Sequence, residues 1–189
     1  MPFHPETDEQ ESSLSISSQD AASTKTAERI AERIQDTGVS IGVSESLTSG
    51  LLASFLGAAP SSSDWFLGGL TAYATSVKRS VLGVTAEAVV SAESAAQMAD
   101  GTAKLLGADL ALAITGSGGP EPQDGQEPGT VFIGIATAGQ DTPEVTERFF
   151  DGEPEEVIHS TVAAALELLD ERLQKLLAEH GKGSATLPG

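Results

Sequence analysis

The sequence predicts a layered α/β domain around a mostly parallel sheet with some antiparallel pairing, and three observations carry that expectation. Helical and strand patterns alternate from about residue 24 to residue 150. Leu110–Ile114 is nearly all apolar, the pattern of an inner strand covered on both faces. Two strands with only a turn between them, Val131–Ala136 and Val145–Phe150, close the series before a last long helix.

Residues 1–23 are rich in Ser, Glu, Asp and Gln and hold few sizeable apolar side chains, so the composition predicts a disordered acidic tail. Ser23 or Thr24 then caps a helix with Ala27, Ile30, Ala31 and Ile34 at helical spacing, ended by Gly38. Val39–Val43 alternates and is β-branched, a first strand. Ser44–Gly50 is a polar turn leading into an apolar helix through Leu51, Leu52, Phe55 and Leu56. Trp65–Tyr73 reads as a strand, and Val77–Leu82 as a short helix stopped at Gly83. Ser91 caps a helix reaching Leu106. Residues 115–129 form a Gly/Pro loop. Pro154, followed by Glu155 and Glu156, starts the last helix, which runs to about residue 179. The folded domain is therefore expected over 24–180, with 181–189 a frayed tail.

The chain of 189 residues has 28 acidic against 10 basic side chains, a net charge of −18. Such a field repels phosphate backbones and anionic lipid, which argues against nucleic-acid and membrane-surface partners. It also suits a salty cytoplasm, where molar salt shortens the Debye length to about 3 Å and screens self-repulsion. No apolar run approaches the roughly 18 residues of a membrane span. The start, MPFHPETDEQ, is neither basic nor apolar enough for a signal peptide, so a cytoplasmic location is expected. With no cysteine, thiolate catalysis and Cys-ligated metal sites are excluded.

Three segments can carry chemistry. Ser44-Glu45-Ser46-Leu47-Thr48-Ser49-Gly50 follows a strand and opens a helix, where unpaired N–H groups bind anions or stabilise an oxyanion; a plain helix cap fits the same residues. Thr115-Gly116-Ser117-Gly118-Gly119-Pro120 lies beyond a buried strand, where ligands bind in open α/β sheets, but it is neither a Walker loop nor a dinucleotide fingerprint; a flexible loop is the alternative. Tyr73-Ala74-Thr75-Ser76-Val77-Lys78 holds the only tyrosine and one of few lysines, although Lys78 beside Arg79 also reads as a solvated helix start. His4, His159 and His180 form no catalytic triad and no metal-ligand spacing, so a nucleophilic serine needs another base, and Lys78 is the candidate.

Taken together, SESLTSGLLA, PSSSDWFLGGLTAYATSVKRSVLGV, VSAESAAQMADG and AITGSGGPEP…GTVFIGIA resemble, in order and spacing, the C-terminal domain of the competence/damage-inducible CinA family. The resemblance runs from about residue 25 to 178. It implies a three-layer α/β/α sandwich with a mixed, mostly parallel sheet. Stand-alone members of the family are nicotinamide-nucleotide amidases, so it also implies a metal-free amidase without cofactor, acting on a small nucleotide in pyridine-nucleotide recycling. Association into homo-oligomers is left open. The family's Glu-Ser pair falls on Glu45 and Ser46, and its tyrosine and lysine on Tyr73 and Lys78. The resulting expectation has Ser46 attacking the amide carbon, Lys78 taking its proton or clamping a phosphate, and Tyr73 orienting or relaying. N–H groups at the helix start would hold the oxyanion. Glu45, Thr48, Gly50, Thr75, Thr115, Gly116, Gly118 and Gly119 are expected on the substrate side. Departures are Ser49 for a usual glycine, Thr75 for a usual asparagine, and Pro154 and Ile158 where the family often has arginines. Loss of those two cations supports an alternative, a weakened member acting as a nucleotide-binding or protein-interaction module.

Overall fold

Alternation along one buried strand sets the layers. In the computed structural model, which describes residues 6–119 and 121–183, the elements are α1 (Glu6–Ile34), β1 (Ile41–Glu45), α2 (Leu51–Ala58), a 3-10 turn at Ser62–Asp64, β2 (Phe66–Thr71), α3 (Thr75–Leu82), α4 (Ala92–Leu106), β3 (Leu110–Gly116), β4 (Thr130–Thr137), β5 (Glu144–Phe149) and α5 (Pro154–Gly183). Every residue of β3 is buried. Its Leu110, Leu112 and Ile114 join the apolar faces of α1, α2 and α5. The alternate residues Ala111 and Ala113 meet Leu82 of α3 and Met98 and Ala99 of α4 on the other side. Period-two alternation thus builds the three layers.

The sheet order is β2-β1-β3-β4-β5. β1 pairs in parallel with β2 and β3, and β4 is antiparallel to both β3 and β5. Four strands point one way and β4 alone runs against them, so the sheet is mixed and mostly parallel. α4 lies close on it because small residues face it: a Cβ on Gly134 would collide with the carbonyl of Ala95. Ser91 caps α4 by accepting from Ser94 N, and the helix reaches Leu106, as the sequence predicts; Gly107 ends it in the left-handed region.

The N-terminal segment departs from expectation. The helix predicted from Ser23 or Thr24 begins at Glu6, so the disordered tail expected over 1–23 is helical from there on; residues 1–5 lie outside the described residues. Docking on α5 supplies what composition lacks. Gln19 Nε2 donates to Ser160 Oγ at 3.2 Å, Asp20 and His159 Nδ1 meet at 2.6 Å, and Ser23 is buried. The same seam continues through Thr26 Oγ1 to Glu167 at 2.7 Å and Arg29 Nε to Asp170 at 2.7 Å. The Thr26 hydroxyl, with Arg29, holds the Glu167 carboxyl below its usual range, while Asp170 and Glu167 raise Arg29. At the other end α5 continues to Gly183, past the predicted stop, and 184–189 lie outside the described residues. No helix among the described residues is long and apolar enough to cross a membrane.

Deleting residues 1–22 removes the Gln19 and Asp20 contacts to α5. The truncated chain is expected to lose about 1–2 kcal/mol, a fall of several degrees in Tm by calorimetry. An unchanged Tm would show that this part of the seam contributes nothing.

Candidate active site

The parallel strands β2, β1 and β3 end side by side. β1 leads to α2 on one face of the sheet and β2 leads to α3 on the other, which makes their carboxyl ends a topological switch point where ligands bind. Glu45, the last residue of β1, stands opposite Thr71 of β2 and Ile114 of β3. Ser46 N donates to Ile114 O at 3.0 Å and extends the ladder by one residue, so Ser46 stands beside Thr115.

The Glu45 side chain turns into the protein rather than toward a ligand. Its carboxylate accepts from Gly50 N at 3.1 Å, Leu52 N at 3.1 Å and Ala53 N at 2.9 Å, and so caps α2, whose N-cap Gly50 brings no side chain of its own. Glu45 is expected from the sequence on the substrate side; both of its oxygens are spent on the helix. The α2 donors expected to hold an oxyanion are spent with it. Leu47 N and Thr48 N, one and two residues after Ser46, have no hydrogen-bond partner among the described residues and are the donors left for that role.

Ser46 lines a cavity of about 230 Å³. Tyr73, 70% exposed, stands on its rim. Gly116, Ser117, Gly118 and Gly119 form the facing wall. A Cβ on Gly116 would lie 2.8 Å from Thr130 O, so the β3–β4 connection passes here only with glycine. Of the other expected residues, Thr48 is buried with its hydroxyl unpaired, Gly50 lies beneath Thr71, and Thr75 is an exposed first residue of α3; none lines the cavity. A larger cavity of about 320 Å³ opens at the amino ends of the parallel strands, beside Val39 and Trp65, and holds none of the expected site residues.

Lys78 is buried, 2% exposed, against the end of β3. Its Nζ donates to Thr115 Oγ1 at 3.1 Å, and Thr115 Oγ1 donates in turn to Val89 O at 2.6 Å. Thr115 therefore holds the lysine instead of lining the cavity. Burial disfavours the ammonium and pulls the Lys78 pKa below its usual value, with Asp124 opposing. Ser46 Oγ and Lys78 Nζ share no hydrogen bond; they are brought to adjacent strand ends through Thr115. The expectation of a solvated helix start at Lys78 is not what the structure shows.

Sequence reasoning missed Glu121 and Gln123, which reach the cavity from the loop. Pro154 and Ile158, singled out as departures from the family pattern, reach it from the first turns of α5. One signal was present: Asp124-Gly125, both at positive φ, turns a small hairpin closed by the Gln123–Gln126 bridge. Asp124 then accepts from Val90 N at 2.9 Å and ties the loop to the segment before α4. Ser49 occupies the left-handed region at φ 51°, next to Gly50 at 102°, which gives a conformational reason for the glycine usual at the first of these positions. Among the described residues, no group of three or more His, Cys, Asp or Glu side chains could hold a metal ion.

A sequence profile of the CinA C-terminal domain matches residues 23–173. The chain is 41% identical over 137 residues to a CinA-like protein of Frankia casuarinae, covering 70% of this chain and 31% of that one. It thus spans less than a third of the length of the first curated relatives it matches. Among solved structures, a CinA superfamily protein from Klebsiella pneumoniae superposes with a TM-score of 0.76 at 32% identity, over 81% of this chain and 98% of that one. A competence/damage inducible protein from Agrobacterium tumefaciens superposes with a TM-score of 0.75 at 30% identity, over 81% and 96%.

Lys78 is buried with no ion-pair partner among the described residues, which costs stability. Lys78→Met is expected to raise stability by roughly 1–3 kcal/mol at neutral pH, several degrees in Tm. The sign follows from the lowered pKa. Below about 10.4 the unfolded chain carries the lysine charged while the fold favours it neutral, so the gain shrinks as pH rises toward that value. A lower Tm for the variant would show that Lys78 is a net stabilising contact.

Proposed function

The chain belongs to the CinA C-terminal domain family, and from that premise we propose that it is an amide hydrolase acting on a nicotinamide nucleotide. The reaction is hydrolysis of the carboxamide of nicotinamide mononucleotide to nicotinate mononucleotide and ammonia, in pyridine-nucleotide recycling in the cytoplasm. The observation that carries the reading is a buried lysine of α3, its ammonium disfavoured by desolvation, bonded to Thr115 on the strand end next to a serine that opens into a cavity.

Ser46 Oγ attacks the carboxamide carbon while its proton passes to the neutral amine of Lys78. Thr115 fixes the lysine rotamer by accepting one N–H, which leaves the nitrogen lone pair free to take that proton. The carbonyl oxygen becomes an oxyanion held by Leu47 N and Thr48 N. The C–N bond then breaks, the Lys78 ammonium returns the proton, and ammonia leaves. Water, deprotonated by the same amine, hydrolyses the acyl-serine to the carboxylate and regenerates Ser46. Tyr73 on the rim orients the ring, and the glycines of residues 116–119 allow close approach of the facing wall.

One observation favours the second reading, a nucleotide-binding or protein-interaction module. Pro154 and Ile158, where the family often carries arginines, stand in the cavity wall. Ammonia release separates the two readings, since a module binds without turnover.

Ser46→Ala is expected to lower ammonia release from nicotinamide mononucleotide by about a thousandfold or more with Tm retained. Retention of more than about a tenth of the rate, a cost under roughly 1.4 kcal/mol, would remove Ser46 from the mechanism. The rate should rise with pH through the lowered Lys78 pKa and level off above it, because the base works deprotonated. Lys78→Arg keeps a charge that cannot accept a proton and should be nearly inactive; substantial activity with a raised KM would instead identify a phosphate clamp.

A further inference from the structure

The charges around the cavity narrow the substrate class. Among the described lining residues Glu121 is the charged side chain, and Ser46, Tyr73, Ser117 and Gln123 are the neutral polar ones. No Lys or Arg lines the wall among the described residues. The first turns of α5 reach the wall, and a helix N-terminus ordinarily draws an anion. Here Pro154 opens the helix without an N–H, and Glu155 and Glu156 fill its first turn. The Glu156 carboxylate also takes the N–H of Glu153 at 3.0 Å. The positive end of α5 is thus met by the helix's own carboxylates. Lys78, behind Thr115, is held where its ammonium is disfavoured, and the chain as a whole carries −18. A phosphate monoester, with about −1.5 to −2 charges at neutral pH, finds no cationic side chain here. A pyridinium ring joined to ribose carries one positive charge, and Glu121 complements it. At about 230 Å³ the cavity is below the roughly 300–1,000 Å³ typical of drug-sized ligands, which favours the smaller molecule.

We propose that this site takes the unphosphorylated pyridinium nucleoside, a net cation, in preference to its 5′-phosphate. The proposal rests on the amidase reading and changes only the charge of the substrate. The test measures kcat/KM for ammonia release by the full chain from nicotinamide riboside and from nicotinamide mononucleotide, at about 0.1 M and about 1 M salt, Debye lengths of roughly 10 and 3 Å. The riboside should be the better substrate at low salt, by about tenfold, and the ratio should contract at high salt as the field is screened. Ile158→Arg, which returns a cation to the wall, should move the ratio toward the nucleotide by about tenfold. Equal or poorer turnover of the riboside at low salt, or an arginine variant that leaves the ratio where it was, overturns the proposal. Ammonia from the nucleotide alone overturns it while the amidase reading stands. Ammonia from neither overturns the amidase reading itself.

Discussion

Glu45 brings a carboxylate into the interior at the point where β1 ends, with 1% of the residue exposed. An uncompensated buried charge costs several kcal/mol, so the chain must surround it with donors. Three backbone N–H groups of the α2 start do so. The same bonds cap a helix whose N-cap glycine has no side chain to offer, and they fix how far the chain travels between strand and helix. Residues 46–50 must close that gap, and they do it with Ser49 and Gly50 at positive φ and with Ser49 N bonded to Ser46 O at 3.2 Å. The placement of Ser46 at the head of this turn is a consequence of capping. So is the identity of the donors left near it, because the cap consumes the helix N–H groups and leaves those of Leu47 and Thr48.

A second constraint works against folding. Lys78 is buried, and among the described residues its hydrogen-bond partner is the Thr115 hydroxyl and no carboxylate is bonded to it. Close packing of α3 on α4 keeps it there: a Cβ on Gly101 would collide with the Leu82 carbonyl at the end of α3. The apolar layer of α1, α2 and α5 on the opposite face carries the larger core, so the cost of the lysine falls on the thinner, alanine-rich side.

Much of the fold was legible because its signals are local. The apolar run of β3, the Ser91 cap and the Pro154 start each depend on a few adjacent residues, and each falls where the sequence places it. The N-terminal helix was not legible, since residues 16–23 carry few sizeable apolar side chains, and Gln19 and Asp20 find partners in Ser160 and His159, about 140 positions away. The site divides the same way. Ser46, Tyr73, Gly116, Gly118 and Gly119 line the cavity. Glu45 and Thr115 do not, because a side chain at the end of a parallel strand faces a helix, a neighbouring strand or the solvent according to register, and register is a long-range property. Glu121 and Gln123 come from a loop whose Asp124-Gly125 turn is local, but whose approach is set by the distant bond from Val90 N to Asp124.

The scarcity of cations links these observations. Arg29 and Arg33 are both committed to Asp170 on α5, where they join the N-terminal helix to the C-terminal one. Arg172 is buried between β4 and α5, donating to Thr137 Oγ1 at 2.9 Å and facing Glu144 and Glu179. Lys104 pairs with Asp100 one turn earlier on α4. A chain with 10 basic residues against 28 acidic ones therefore spends Arg29, Arg33 and Arg172 on joining helices and bracing the far edge of the sheet, and Lys104 within α4. Lys78 approaches the cavity, in a position where desolvation favours losing its charge. The electrostatic character of the site follows from that allocation, because a wall built from Pro154, Ile158 and Glu121 has no way to offset an incoming anion except through backbone amides. Pro154 contributes no such amide and the start of α2 is taken up by Glu45, whereas Leu47 N and Thr48 N have no partner among the described residues.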